Sequence, residues 1–203
     1  MSGEIRFFVF PMRHTICFLL LFMFVSCEKK ELVNNDSLNQ LKRIEKLIEK
    51  NRNTLLNNDN EKKLLRKELN ELKGKTDTTA LYCMYLLSKS AISNYNSDSS
   101  HFLDTYYLSC IKTKDSLSYA RYYRLKGILH YRSSDMNLAI ENYLKSEKIL
   151  KKINNGDEYF EVKLNIAQLL NYINDFTGAE MYLAKINTLN NDKIHNDIKI
   201  RVL

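Results

Sequence analysis

The chain contains almost none of the residues that break regular structure. Its 203 residues include one proline and five glycines, and the only glycines after residue 26 are Gly74, Gly127, Gly156 and Gly178. Because β folds need frequent turn residues, this scarcity disfavours strands and favours long helices. With 44% hydrophobic and 27% charged residues, the composition is that of a folded domain or a short repeat array and does not indicate disorder.

The sequence also has few residues arranged for chemistry. His101, His130 and His195 lie far apart, and the sequence has no metalloprotease motif, nucleophile elbow or glycine-rich phosphate loop. Cys83 and Cys110 have no histidine or further cysteine at the spacing of metal ligands. We therefore predict a protein that is not an enzyme and that uses no metal or cofactor.

Two interpretations of Cys83 and Cys110 follow from the sequence. The two cysteines fall on consecutive predicted helices with a turn near Asp98, so in an exported protein they could face each other and form a disulfide. Alternatively, both are small apolar residues of the core, which is the commoner role of a buried cysteine.

A short apolar segment lies near the start of the chain. Ten residues from Ile16 to Val25 follow the basic Arg13 and precede the pair Ser26-Cys27. Such a run is too short to span a bilayer as a stable helix, but it has the length of a signal-peptide core. The segment therefore predicts export.

The junction at Ser26-Cys27 resembles a bacterial lipoprotein signal, in which a small residue precedes the cysteine that receives diacylglycerol. The resemblance implies a leader over 1–26, a lipid on Cys27 that holds the chain at a membrane, and a linker over 27–36. It also implies a location in the bacterial cell envelope, facing the periplasm or the cell surface. A secretory leader without lipidation, or an uncleaved anchor, is the alternative. Met12 offers a second start for the same leader.

The first part of the body has the spacing of amphipathic helices. Over 37–75, leucines and isoleucines recur at helical intervals on either side of a polar stretch, and Gly74 stands where the second helix would end. These features predict an N-terminal helical hairpin.

Three segments after residue 80 share one spacing of small, apolar and bulky residues. A small residue is followed twelve positions later by an apolar residue, and four positions after that by a bulky one. The copies are Ala91, Leu103 and Tyr107; Gly127, Ala139 and Tyr143; and Ala167, Ala179 and Leu183. Because two helices approach closely only where a small residue lies at the crossing, the spacing predicts paired helices that touch at Ala91, Gly127 and Ala167.

These residues resemble the tetratricopeptide repeat (TPR). The resemblance implies an all-α fold in which antiparallel helical hairpins stack as a short TPR-like α-solenoid. The repeats would cover 80–190, at about 80–115, 120–153 and 158–190, and 191–203 would form the start of a capping helix or a truncated next repeat. Lys126 and Lys163 depart from the family pattern, which has a leucine and an aromatic residue at these two places.

The resemblance also implies where a partner would bind. Such repeats bind along the surface lined by the first helix of each pair, which predicts a non-enzymatic scaffold for a protein or an extended peptide. The residues predicted to line this groove are Tyr85, Lys89, Tyr95, Arg121, Arg124, Ile128, Tyr131, Asn165, Gln168 and Asn171. Tyrosine and arginine are favoured at interfaces. The basic side chains among these residues would suit a partner that bears carboxylates.

Two other functions remain open. The net charge of +7 fits a basic helical module that binds an anionic membrane surface. The resemblance to exported repeat arrays also fits the exported sensor part of a longer or truncated helix-turn-helix regulator. Export with a lipid anchor makes nucleic acid an unsuitable partner, and most basic residues alternate with acidic ones, as on a solvated helix face.

The lipoprotein prediction has a direct test. Metabolic labelling with a fatty acid should mark the wild-type chain and leave the Cys27→Ala variant unmarked, because the thiol of Cys27 is the acceptor. Equal labelling of the two chains would contradict the prediction.

Overall fold

A computed structural model describes residues 35–52 and 59–188 of the chain. The predicted leader, Cys27, most of the linker and the segment 191–203 lie outside these residues. Within the described ranges, none of the helices combines the length and the apolarity that crossing a bilayer requires.

The described residues form α-helices joined by short turns, and no strand occurs among them. The helices are α1 (Asn35–Arg52), α2 (Asp59–Leu72), α3 (Thr78–Ser93), α4 (Ser99–Thr113), α5 (Ser116–Arg132), α6 (Met136–Lys152), α7 (Gly156–Tyr172) and α8 (Phe176–Thr188). The prediction of an all-α fold is confirmed.

The helices after residue 77 pair as hairpins and then stack. The pairs α3–α4, α5–α6 and α7–α8 each pack together, and the first helices α3, α5 and α7 pack in that order. The second helix of one hairpin also contacts the first helix of the next, as α4 does with α5 and α6 with α7. Each hairpin thus buries its apolar face against its neighbour, which is the arrangement of a solenoid.

The central helix α5 belongs to both hydrophobic cores of the stack. Tyr122 and Leu125 join the core formed with α1 to α4, whereas Ala120 joins the core formed with α6 and α7. Ile128 packs against both cores. The stack is therefore continuous through α5.

The turns repeat every 20 residues and explain why so little glycine is needed. Lys114, Ser134, Asn154 and Asn174 all have positive φ, between 53° and 65°. The residue after each one is Asp115, Asp135, Asn155 or Asp175, and its side chain accepts a hydrogen bond from a backbone amide in the first turn of the next helix. Asparagine tolerates the left-handed conformation better than most residues, so the turns close without glycine.

The two helices α5 and α6 cross at Gly127. A Cβ at this position would lie 2.5 Å from Cδ1 of Tyr143 and 3.2 Å from the backbone oxygen of Ala139. Gly127, Ala139 and Tyr143 are all buried, and so are Ala91, Ala167 and Ala179. The small residues therefore lie inside the stack, where the spacing predicts them.

The N-terminal pair α1 and α2 packs on α3. Arg43 on α1 donates to both carboxylate oxygens of Glu68 on α2, at 2.7 and 2.9 Å, and to Glu71 at 2.7 Å. Ile44 and Leu69 are buried between these helices and α3. Gly74, with a φ of 89°, follows the end of α2.

The disulfide between Cys83 and Cys110 is not formed. Both cysteines are free thiols, and both are fully buried in the core. Burial raises the pKa of each thiol to about 12. Burial therefore disfavours the thiolate that disulfide exchange needs, and the role as small core residues is the one the structure supports.

We expect Gly127→Ala to destabilise the protein by about 1–3 kcal/mol, because the new methyl group overpacks against Tyr143. This loss should appear in urea denaturation although alanine is the better helix former. Gly156→Ala is the matched control, since a Cβ there meets no atom within 4 Å, and it should leave stability unchanged or raise it slightly.

A second change should relieve the clash at the crossing. Ala167 and Leu183 occupy the corresponding places in the next hairpin, so Tyr143→Leu combined with Gly127→Ala recreates that pair. The alanine should then cost at least about 1 kcal/mol less than it does beside Tyr143. Strictly additive effects of the two changes would contradict a direct contact.

Candidate functional site

Side chains on α3, α5 and α7 form a ladder across the first helices. Each helix contributes two residues three positions apart: Tyr82 and Tyr85, Arg121 and Arg124, and Glu158 and Glu161. Residues three apart lie on one face of a helix. We call these six residues the arginine ladder.

Arg124 is the centre of the arginine ladder. Its side chain donates to the hydroxyl of Tyr85 on α3 and, at 3.1 Å, to Glu161 on α7, while Glu158 lies 3.4 Å away. Only 3% of Arg124 is exposed. Burial opposes the charge, but Tyr85 and the two carboxylates more than offset it, so the pKa of Arg124 lies above its ordinary value.

Arg121, the second arginine of the ladder, contacts both neighbouring first helices. Its Nε donates to Glu158 at 2.8 Å. Its guanidinium also lies 5.1 Å from the ring centre of Tyr82 and 4.8 Å from that of Tyr85, within the range of a cation–π contact. Both guanidinium groups are thus bound inside the protein, although the buried Nε of Arg124 has no hydrogen-bond partner among the described residues.

The arginine ladder corrects part of the predicted groove. Tyr85 and Arg124 are buried in the stack and do not line an open surface. The side chain of Ile128 also packs against the two hydrophobic cores. Glu158 and Glu161 already pair with Arg121 and Arg124, so the acidic partner stays a prediction that these two arginines do not support.

Other predicted groove residues lie apart from one another. Lys89 is exposed, with its Nζ 5.9 Å from the ring of Tyr85. Tyr95 is 74% exposed and lies under the guanidinium of Arg132 at 4.2 Å. Tyr131 is half-buried against the ring of Tyr172. None of these contacts forms a groove that runs along the first helices.

An open cleft of about 320 Å³ lies between α7 and α8, on the last described hairpin. Two of the remaining predicted residues, Gln168 and Asn171, are exposed on α7 and line this cleft. We call it the end cleft. Its complete lining is Leu164, Ala167, Gln168, Asn171, Phe176, Ala179, Glu180 and Leu183.

The end cleft corresponds to a surface that is covered in the preceding hairpin. On α6, Tyr143 packs against Gly127 and is buried. Ala139 and Tyr143 share a core with Val162 and Ile166 of α7. The residues forty positions after Ala139 and Tyr143 are Ala179 and Leu183, which line the end cleft. Within residues 35–52 and 59–188, no helix of a following hairpin packs on this surface.

Nothing in the described part of the chain suggests a metal site, since it contains no group of three or more histidine, cysteine, aspartate or glutamate side chains placed to hold an ion. Compared with protein-family models, curated proteins and solved structures, the chain matches none.

Loss of the central arginine should weaken the whole stack. We expect Arg124→Met to lower the free energy of unfolding by about 3 kcal/mol, because it leaves Tyr85 and Glu161 without their buried partner. Tyr85→Phe should cost about 1 kcal/mol, since it removes one hydrogen bond. Urea denaturation measures both values.

Arg43→Met is the comparison for an ion pair that is open to solvent, since half of the Arg43 side chain is exposed. It should cost no more than about 1 kcal/mol. If Arg124→Met proved no more harmful than Arg43→Met, the arginine ladder would not be a structural element.

Proposed function

We propose that the protein is a non-enzymatic scaffold that binds an amphipathic helix of another protein in the end cleft. The observation that carries this proposal is that no further described helix packs on the end cleft, beside the buried Ala179 and the half-buried Leu183, whereas α7 covers the equivalent Ala139 and Tyr143. Because a helix packs at the equivalent places inside the stack, a helix is the ligand that we expect in the end cleft.

Exposed apolar side chains support binding at this end of the stack. Phe176 is 57% exposed at the rim of the end cleft, and Tyr172 and Ile173 are exposed nearby. Large apolar groups clustered on a surface mark sites of protein association. The partner helix therefore needs an apolar stripe that fills the cleft between α7 and α8.

The polar groups of the end cleft define the rest of the partner. Gln168 and Asn171 offer amide donors and acceptors, and Glu180 supplies the only charge in the lining. A neutral or basic helix suits these groups better than an acidic one. The preferred partner thus differs from the acidic segment that the sequence predicts.

The proposal places this scaffold in the bacterial cell envelope. Its support is the resemblance of residues 16–27 to a lipoprotein signal, which would hold the stack at a membrane surface through Cys27. The small-residue crossings support a TPR-like repeat. The turns, however, recur every 20 residues, so a hairpin spans about 40 residues against about 34 in TPR.

Site-specific cross-linking in intact cells tests the proposal. A photoreactive amino acid replaces Gln168, which is exposed and lines the end cleft. Illumination should join the full chain to one other protein. Phe176→Glu should reduce the yield of this product at least tenfold, because a charge replaces an apolar contact.

Met181→Glu is the matched control. Met181 lies on the same helix with the same exposure as Phe176, 56% against 57%, but does not line the cleft. This variant should keep the cross-linked product, and both variants should keep the wild-type melting temperature. Products formed only within one chain, or between two copies of it, would contradict binding of a partner protein.

A further inference from the structure

A second concave surface lies between α6, α7 and α8. It is a pocket of about 410 Å³ that we call the lysine pocket. Its lining consists of Leu144, Glu147, Lys148, Lys151, Tyr159, Lys163 and Lys185. Four lysines therefore surround one carboxylate. No residue is shared with the end cleft, because Tyr159 and Lys163 lie on a different face of α7 from Leu164 and Gln168.

Lys163 forms the base of the lysine pocket. It is only 4% exposed, and lysine is almost never buried to this degree without a strong partner. Its Nζ lies 3.9 Å from Glu147, which is beyond hydrogen-bond distance. The position is also the one at which the repeat pattern has an aromatic residue. The sequence therefore places a charge where packing alone would favour a ring.

Glu147 neutralises Lys163 incompletely because it serves other groups as well. Burial and the nearby carboxylate of Glu147 together raise the pKa of Tyr159 and of Tyr182, so this carboxylate lies close to both tyrosines. Burial lowers the pKa of Lys163, and the nearby charge of Lys151 lowers it further, although Glu147 acts in the opposite direction. An additional anion near the ammonium of Lys163 therefore stabilises its charged form.

We infer that the lysine pocket binds the phosphate group of a small ligand. A phosphate carries up to two negative charges and several acceptor oxygens, which match the excess of lysines over Glu147. The pocket is larger than a phosphate ion, so the organic part of the ligand contacts Leu144 and the ring of Tyr159. Soluble phosphate esters and phospholipid headgroups share this chemistry. The inference does not depend on binding in the end cleft.

Two probes distinguish the sources of phosphate. Inorganic phosphate is titrated by calorimetry into the full chain carrying Cys27→Ala, which removes the predicted lipid. The same chain is then mixed with vesicles of phosphatidylcholine that contain phosphatidylglycerol, and binding is measured by cosedimentation. Binding of phosphate identifies a soluble ligand, whereas binding to the vesicles alone identifies a lipid headgroup.

Two variants assign the binding to the lysine pocket. Lys163→Met keeps the volume of the side chain and should weaken binding about tenfold, for whichever of the two probes binds the wild-type pocket. Lys151→Ala changes an exposed residue in the last turn of α6 and should weaken binding several-fold without affecting the fold. Lys112→Ala is its control, because Lys112 is exposed in the last turn of α4, away from the pocket.

The inference is supported if both pocket variants weaken binding while Lys112→Ala does not. It is overturned if neither probe binds, or if Lys112→Ala weakens binding as much as Lys151→Ala. Should Lys163→Met fail to fold, the comparison of Lys151→Ala with Lys112→Ala still decides the outcome.

Discussion

The buried guanidinium of Arg124 holds three consecutive hairpins together. It contacts Tyr85 on α3, the first helix of the preceding hairpin, and Glu158 and Glu161 on α7, the first helix of the following hairpin. A charge that is 3% exposed is stable only while all these partners remain in place, so the hairpins cannot separate without a large cost. The same contacts remove the arginines from the surface. Recognition is therefore expected at the end of the stack rather than along the first helices.

The sequence predicts the hairpins because their packing is local. Gly127, Ala139 and Tyr143 have the spacing of a close crossing, and the structure places them in contact. The 20-residue period of the turns was equally accessible, since Ser134-Asp135, Asn154-Asn155 and Asn174-Asp175 follow one another at this interval. It is easily overlooked because asparagine and serine replace the glycine that usually marks such turns.

The candidate sites were harder to predict because they depend on distant residues. Helical periodicity places Arg124 on a face, but its burial depends on Tyr85 and Glu161, which lie 39 and 37 residues away. The arginine ladder does leave a trace in the sequence, since tyrosine, arginine and glutamate pairs recur at nearly the repeat interval. Lys163 likewise departs from the repeat pattern, but only the structure shows that it is buried beside Glu147.

The contacts of α5 make the hairpins from α3 to α8 one cooperative stack. Native-state hydrogen exchange on the full chain measures this cooperativity, because it reports the free energy at which each helix opens. We expect the middle amides of α3, α5 and α7 to exchange through one shared opening, and α8 to open at lower free energy. Independent opening of α7 while α5 remains protected would contradict it.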